Sequence, residues 1–373
     1  MRVALELQSC CGNRSGIGTY TYELARRLKN GDGLEFSGNV FDFPLRRSNL
    51  DFVKDIHMPV HIQRSMPYGV YRRIWGFVPL PYGMMFPPAD VNVFFNFIVP
   101  PRVRGRCIAA VYDMTYLRYP ETMKESNLRN LEKNMVRSLE RSDGIITISE
   151  FSKREICDLL GVPKEKIHVV YCAASLPQRQ SPQEQVRARF GIRGPYLLYV
   201  GTVEPRKNLR RLLRAYRRLK REENIPHQLV CVGANGWNSR EIYQEAEKFQ
   251  GSGDVVFTGY VSAEDKAALY AGSDAFVFPS LYEGFGMPPL EAMHLGCPVV
   301  CANAASLPEI VGQAAELVDP LDDADIARGI RRLLSDREYA QSLAETGRRQ
   351  AQRFSWERSA EKFVKTIMAV AEQ

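Results

Sequence analysis

No stretch of 18 consecutive apolar residues occurs in the chain, so no segment reads as a membrane-spanning helix. The eight cysteines contain no C-x-x-C pair and the five histidines do not cluster, so no ligand set for a structural metal is present and none is expected. Cys10, Cys11, Cys107, Cys157, Cys172, Cys231, Cys297 and Cys301 lie mostly in apolar strand-like or helical runs, the usage of reduced cytosolic thiols serving as small hydrophobes. Nucleic-acid recognition modules and aromatic repeats are missing, which argues against a nucleic-acid partner. The pattern G-x-G-x-x-G is not completed either, because Gly16-Ile17-Gly18 is followed at position 21 by Thr21; a dinucleotide site is therefore weakly supported. The N-terminus, Met1-Arg2-Val3-Ala4-Leu5, enters a strand instead of a signal peptide, and a cytoplasmic chain is expected.

What is present is an ordinary globular composition, 45% hydrophobic and 25% charged, in a chain of 373 residues. That length exceeds what one core usually supports, so two domains are expected. Strands alternate with helices in both halves. In the first, Val3 to Leu7 reads as a strand, Tyr20 to Leu28 as a helix, and further strands fall at 91–95, 107–111, 144–148 and 168–171, with a helix over Phe151 to Leu160. Glu150 and Ser152 read as that helix's start. From Ser175 to Glu184 the chain turns polar and gains prolines, which marks a linker. In the second half, strands are expected at 196–200, 227–232, 255–258, 275–278, 298–301 and 316–318, with Ser262 starting a helix before Ala267. This alternation implies two α/β, doubly wound, Rossmann-like domains. Ligands of such sheets bind at the carboxyl ends of the strands, and the two domains are expected to face each other across a cleft.

The most informative segment is Glu283-Gly284-Phe285-Gly286-Met287-Pro288-Pro289-Leu290-Glu291. Two carboxylates bracket a glycine loop that runs from an apolar strand into a helix. Pro288 and Pro289 suit the first helical positions, where a missing N–H costs nothing, and Gly296 suits the stop. The amides of Gly286 and Met287 are then left to face an anion. A helix N-terminus carries about half a positive charge, so a diphosphate can dock there without a metal ion. Glu283 and Glu291 flank this position and each can accept two hydroxyls, as neighbouring hydroxyls of a sugar ring and of a ribose supply.

The motif resembles the E-x7-E signature of the retaining, nucleotide-sugar-dependent glycosyltransferases of family 4, which have the GT-B fold. The resemblance covers nearly the whole chain. Ser15-Gly16-Ile17-Gly18 is similar to the family's N-terminal glycine loop, and Gly201-Thr202-Val203-Glu204-Pro205-Arg206-Lys207-Asn208 to its phosphate-binding segment. Ser306-Leu307-Pro308-Glu309 and Tyr112-Asp113-Met114 resemble the mannosyltransferase-B-like branch, whose members build bacterial surface polysaccharides.

The resemblance implies that residues 1–175 form an acceptor-binding domain, 176–190 a linker, 191–355 a nucleotide-sugar-binding domain, and 356–373 a helix that returns to the first domain. It implies that Arg206 and Lys207 hold the diphosphate and stabilise the charge that develops as it leaves. Many family members carry arginine straight after the glycine, where this chain has Thr202, so Arg206 and Lys207 are left with more of the charge. Glu283 with the loop through Phe285, Gly286 and Met287 would hold the donor sugar and phosphate, and Glu291 the ribose. Gly16 and Gly18 would let the first domain's backbone approach diphosphate or acceptor, Gly201 and Thr202 line the phosphates, Asn235 the donor sugar and Val261 the nucleobase. Asp113 follows a predicted strand; relatives often carry His-Asp where this chain has Tyr112-Asp113, so a histidine's acid–base role does not transfer. Sugar binding or general-base catalysis both remain open for Asp113. No cofactor is implied, the nucleotide sugar being co-substrate. GDP-mannose is the first choice of donor by the branch, with dTDP-rhamnose, UDP-glucose and UDP-galactose behind it.

Between Leu45 and Arg106 the bases Arg46, Arg47, Lys54, Arg64, Arg72, Arg73, Arg102, Arg104 and Arg106 outnumber Asp51, Asp55 and Asp90. The same stretch carries Tyr68, Tyr71, Trp75, Phe77, Met84, Met85 and Phe86. This mixture suits either an anionic membrane surface at the inner face of the cell membrane, with a glycan or lipid-diphosphate-linked acceptor, or a core with solvated arginines. The rivals for the whole chain are a catalytically inactive binding or regulatory module of the same fold, and an epimerase or phosphorylase.

Overall fold

The computed structural model describes residues 1–12, 16–44, 49–74 and 80–373, the side chain of residue 74 excepted. The chain divides into two units. One comprises Met1–Met114, Glu125–Cys172 and Ser355–Gln373, the other Thr115–Lys124 and Ala173–Phe354.

Among the described residues the first unit holds a parallel sheet of β1 (Arg2–Glu6), β2 (Glu35–Phe41), β3 (Val60–Gln63), β4 (Val91–Phe94), β5 (Arg106–Ala110), β6 (Gly144–Thr147) and β7 (Ile167–Val169), in the order β3-β2-β1-β4-β5-β6-β7. The second holds β8 (Tyr196–Val200), β9 (Gln228–Val232), β10 (Val255–Gly259), β11 (Ala275–Phe278), β12 (Val299–Ala302) and β13 (Glu316–Val318), in the order β10-β9-β8-β11-β12-β13. Strands β4, β8, β9, β11 and β12 are buried at every residue, which is why they read as continuous apolar runs. The strand order reverses between β1 and β4 in one sheet and between β8 and β11 in the other, and such reversal points leave a crevice at the carboxyl edge.

Several details depart from the sequence reading. Strands β2 and β3 are additional: Ser37, Gly38 and Asn39 are residue types depleted from strands, yet Asn39 is buried and donates through Nδ2 to Tyr82 Oη at 3.1 Å. The helix Gly16–Ala25 begins at Gly16, so Gly16 and Gly18 form its first turn instead of a loop before it. Ser149, not Glu150 or Ser152, caps the helix Glu150–Leu160, its hydroxyl accepting from the amide of Ser152. The stretch taken as a linker carries the helix Gln183–Phe190, in which Val186 is buried; Pro182 precedes a helix of good formers and starts it. That helix is held by Gln183 Nε2 donating to the carbonyl of Ala268 at 3.1 Å and by an Arg189–Asp265 ion pair. Thr115–Lys124 groups with the second unit and not with residues 1–114. Trp237 Nε1 donates to the carbonyl of Thr122 at 2.6 Å, and the rings of Tyr119 and Tyr282 lie 5.7 Å apart.

The basic aromatic stretch resolves unevenly. Arg46, Arg47, Trp75 and Phe77 lie outside the described residues. Tyr71 and Phe86 are core residues, packed on Phe41 of β2 with ring centroids 5.1 and 5.0 Å away, so of the two readings the core one holds for this pair. Met84 is exposed. Among the described residues no helix is long and apolar enough to cross a membrane.

The helix Trp356–Ala371 is capped by Ser355, whose hydroxyl accepts from the amide of Arg358. It buries Phe363 against Phe95 (centroids 5.8 Å) and Trp356 against Tyr20 (6.0 Å) within the first unit. A fully buried phenylalanine contributes about 3–5 kcal/mol over alanine. Phe363→Ala should therefore lower the first unit's unfolding free energy by that amount, read from the shift of its urea midpoint multiplied by the m-value; an unchanged midpoint would show that this helix adds no core to it.

Candidate active site

The crevice between β8 and β11 is walled by the two segments that leave their carboxyl ends, Gly201–Asn208 and Pro279–Met287. Asn208 locks them together. Its backbone is left-handed (φ 60°) and its Nδ2 donates to the carbonyls of Pro279 at 2.9 Å and Pro320 at 2.7 Å. The amide of Leu281 adds a bond to the carbonyl of Arg206 at 2.9 Å.

Within this frame Glu283 is buried and ionised. Its Oε1 accepts from Lys207 Nζ at 2.5 Å and lies 2.6 Å from the hydroxyl of Ser280; its Oε2 accepts from Arg206 Nη1 at 3.0 Å. Burial works to raise its pKa, but the charges of Arg206 and Lys207 and these hydrogen bonds outweigh it and bring the carboxyl down to about 2. Arg206 is braced on three sides, donating also to the carbonyl of Tyr282 at 2.7 Å and to Glu204 Oε1 at 2.8 Å. Burial raises the pKa of Glu204, whose Oε2 is enclosed without a hydrogen-bond partner among the described residues. Lys207 Nζ also stands 5.4 Å from the centroid of the Phe278 ring.

The loop beyond Glu283 turns into the helix Met287–His294. The hydroxyl of Ser306 sits between the carbonyls of Glu283 (2.8 Å) and Phe285 (3.0 Å). Gly286 caps the helix at φ 115°, and a methyl group there would come within 2.7 Å of Leu307 Cδ2. Pro288 and Pro289 have no N–H, so Gly286 and Met287 supply the donors at this opening. Phe285 is buried with its ring 5.5 Å from that of Phe354.

Glu291, in the same helix, is buried, and its two oxygens accept from Lys266 Nζ at 2.9 and 2.8 Å; Tyr270 Oη donates to Oε2 at 3.2 Å. Burial keeps its pKa raised although Lys266 and Tyr270 act the other way. The neighbouring carboxyl-edge loops are tied to Gly201 and Thr202. A methyl group on Gly233 (φ 148°) would sit 2.0 Å from the carbonyl oxygen of Gly201. Val203 bridges to Asn235, an exposed residue whose Oδ1 accepts from Ser239 Oγ at 2.7 Å. The amide of Gly233 donates to the carbonyl of Gly259 at 3.0 Å, next to Tyr260 and the buried Val261.

The second unit thus brings together Gly201, Thr202, Arg206, Lys207, Glu283, Phe285, Gly286, Met287 and Glu291 on two connected loops and one helix, with Asn235 and Val261 on adjoining loops. Gly16, Gly18 and Asp113 belong to the first unit, Asp113 following β5. The arginines after Lys207 are spent on structure: Arg211 pairs with Asp323, Arg217 with Glu245 and Arg218 with Glu222, each at 2.9 Å. Sequence reasoning gave no role to Glu204 and Ser306, although both stand in the segments quoted above, and missed Ser280, Lys266 and Tyr270. For the last two a signal existed, a lysine and a tyrosine spaced i, i+4 on one helix face. The others act through tertiary contacts that no local pattern encodes.

Residues 182–350 match the sequence model of Glycosyl transferases group 1, and residues 100–178 that of Glycosyltransferase Family 4. Over 266 residues, 70% of either chain, the protein is 38% identical to an O-antigen chain mannosyltransferase B of Escherichia coli. It is 29% identical to the serotype-specific mannosyltransferase WbdA of Escherichia coli over 69% of its own length, but spans only 33% of that larger protein. The structure of sucrose-phosphate synthase from Thermosynechococcus elongatus superposes with a TM-score of 0.77 at 20% identity, covering 98% of both chains.

The charge cluster makes a testable demand on stability. Replacing Glu283 with Gln leaves two buried cations short of a partner and should cost about 3–5 kcal/mol at neutral pH. Because the carboxyl titrates near 2 in the folded chain against an ordinary 4.5, its contribution is complete above about 4.5 and is lost as pH falls toward 2. Urea unfolding of wild type and Glu283→Gln should thus show a gap that is constant from pH 7 to 5 and narrows below 4.5. A gap that stays flat down to pH 3 would assign the loss to packing, not charge.

Proposed function

The chain belongs to the family 4 glycosyltransferases with the GT-B fold, and from this premise we propose that it moves a hexose, mannose from GDP-mannose first, onto a hydroxyl of a growing surface polysaccharide. The reading is carried by one observation: a cationic pair, Arg206 and Lys207, is fixed by Glu283 at the reversal point of a parallel sheet, beside a helix opening with two amide donors. That arrangement suits a diphosphate. The mannosyl transfer named for two relatives supports the choice of sugar.

In this proposal the amides of Gly286 and Met287 and the ammonium of Lys207 receive the diphosphate, with Gly201 and Thr202 beside it. An ammonium has three donors, of which Glu283 takes one, so Lys207 retains capacity for phosphate oxygens. Arg206, committed to Glu204, Glu283 and the carbonyl of Tyr282, mainly holds Glu283 in place and adds charge at short range. Glu283 and the Phe285 loop contact the donor sugar together with Asn235, Val261 borders the nucleobase, and Glu291 binds the ribose. As the bond between the anomeric carbon and the phosphate oxygen breaks, the acceptor oxygen bonds to the same face of the sugar. Its proton passes to the departing phosphate, and the configuration is retained. No metal ion is invoked, because the unspent hydrogens of Lys207 and the amides of the helix opening supply oriented donors for the phosphate oxygens. Asp113 and the Gly16–Gly18 turn are proposed for the acceptor-facing side of the first unit. The acceptor is a glycan, carried on a lipid diphosphate at the cytoplasmic face of the membrane. Exposed Arg102, Arg104 and Met84 support that placement.

The donor is tested by thermal stabilisation with GDP, UDP, dTDP and ADP and their sugars in the presence of EDTA. A ligand at a hundred times its Kd adds about 2.7 kcal/mol, so GDP and GDP-mannose should stand apart from the others. A shift with UDP sugars alone would replace the donor, and no shift with any of them would remove the donor-site reading.

The roles separate kinetically. Lys207→Ala should lower kcat by roughly a hundredfold to a thousandfold with donor affinity within a few-fold of wild type, while Glu291→Ala should chiefly raise the donor KM. The reverse pattern would overturn both assignments.

A further inference from the structure

Lys266 lies on the helix Ala263–Ala271, one turn before Tyr270, and serves no surface purpose. Its side chain is three-quarters buried and its ammonium spans both oxygens of Glu291 at 2.9 and 2.8 Å. Tyr270, fully buried, adds its hydroxyl at 3.2 Å. The adjacent Asp265 turns instead to Arg189, so the negative charge of Glu291 is not opposed by its nearest acidic neighbour in sequence on that helix.

A buried carboxyl left to itself takes up a proton. In its neutral form one oxygen carries hydrogen and donates, and the carboxyl is a weaker acceptor for a ligand hydroxyl. A ribose hydroxyl binds best to a carboxylate oxygen whose remaining acceptor position is held at a fixed angle. The lysine supplies both conditions from behind: a charge that favours ionisation, and a two-point contact that fixes the plane of the carboxylate. Each carboxylate oxygen has two acceptor positions; Lys266 and Tyr270 together occupy both on Oε2 and Lys266 one on Oε1, which leaves one position on Oε1 for a ligand hydroxyl.

We propose that Lys266, with Tyr270, is a positioning residue that holds Glu291 ionised and oriented to accept a ribose hydroxyl of the nucleoside diphosphate. The proposal rests on the reading of Glu291 as the ribose-binding group. It assigns to the helix Ala263–Ala271 a part in donor selectivity, the discrimination of a ribonucleotide from a nucleotide lacking its diol.

Calorimetric binding of GDP, UDP and their 2′,3′-dideoxy counterparts tests it in the full chain. Wild type should prefer the ribonucleotide by about tenfold to a hundredfold, the worth of a hydroxyl bond to a charged group. Lys266→Met should erase most of that preference, Lys266→Arg should restore much of it, and Tyr270→Phe, a milder change, should reduce it partially. A merely structural role for Lys266 would weaken ribo- and dideoxynucleotide equally and leave the ratio unchanged, which would overturn the proposal while Glu291→Gln still erased the preference. If wild type binds both nucleotides equally, or binds neither GDP nor UDP, or if Glu291→Gln keeps the preference, the ribose reading of Glu291 itself falls and the proposal with it.

Discussion

A carboxylate held between two cations in a nearly dry crevice is the constraint around which the second unit is arranged. Glu283 can be buried only because Arg206, Lys207 and Ser280 converge on it, and Arg206 can point inward only because Glu204 and the carbonyl of Tyr282 take its other donors. Each charge would be costly alone and is tolerable in company. The backbone meets the same demand. Asn208 adopts a left-handed conformation to tie the loop after β8 to the loop after β11, and Ser306 grips the carbonyls on either side of Gly284. Rigidity at this point follows from electrostatics as much as from packing, and it places the helix opening at Gly286 beside the cations.

The parts of this arrangement that were legible in the sequence are those encoded locally. Buried parallel strands announce themselves as short apolar runs, and β8, β11 and β12 lie within a residue or so of where such runs occur. The paired prolines at the start of Met287–His294 and the Ser262 cap obey rules a few residues long. Glu283 and Glu291 were visible because the glycine loop between them runs from an apolar strand into a helix opened by paired prolines. What those carboxylates touch was not visible. Lys266 is 25 residues from Glu291, and Glu204 meets Arg206 inside a loop whose path depends on contacts with a distant strand.

The first unit was harder to read for a related reason. Strand β2 carries Ser37, Gly38 and Asn39, and its burial is made possible by partners far along the chain: Tyr82 for Asn39, Tyr71 and Phe86 for Phe41. Without β2, those aromatics fit a surface patch or a core equally well. Once the strand is in place they become its cover. Similarly, Pro182 seemed to extend a linker, whereas a proline just before a run of helix formers is a start signal, and Arg189 and Gln183 find their partners only on the helix Ala263–Ala271.

The charge balance of the crevice bears on how such a site would accelerate a reaction. Glu204 and Glu283 cancel Arg206 and Lys207, so the four side chains together are neutral and do not attract a diphosphate by net charge. Binding must then draw on oriented donors, the amides of Gly286 and Met287 and the unspent hydrogens of Lys207. These differ from a pool of free charge in one respect: they are aimed. A donor fixed at the oxygen where charge grows gains most as the sugar–phosphate bond lengthens, because the negative charge there increases while the protein dipoles need no reorganisation. A crevice with two unpaired cations would bind the ground state more tightly and gain correspondingly less on the way to the transition state. Pairing each cation with a buried carboxylate therefore moderates ground-state attraction while preserving the positions of the donors, and it explains why a site suited to an anion contains two glutamates.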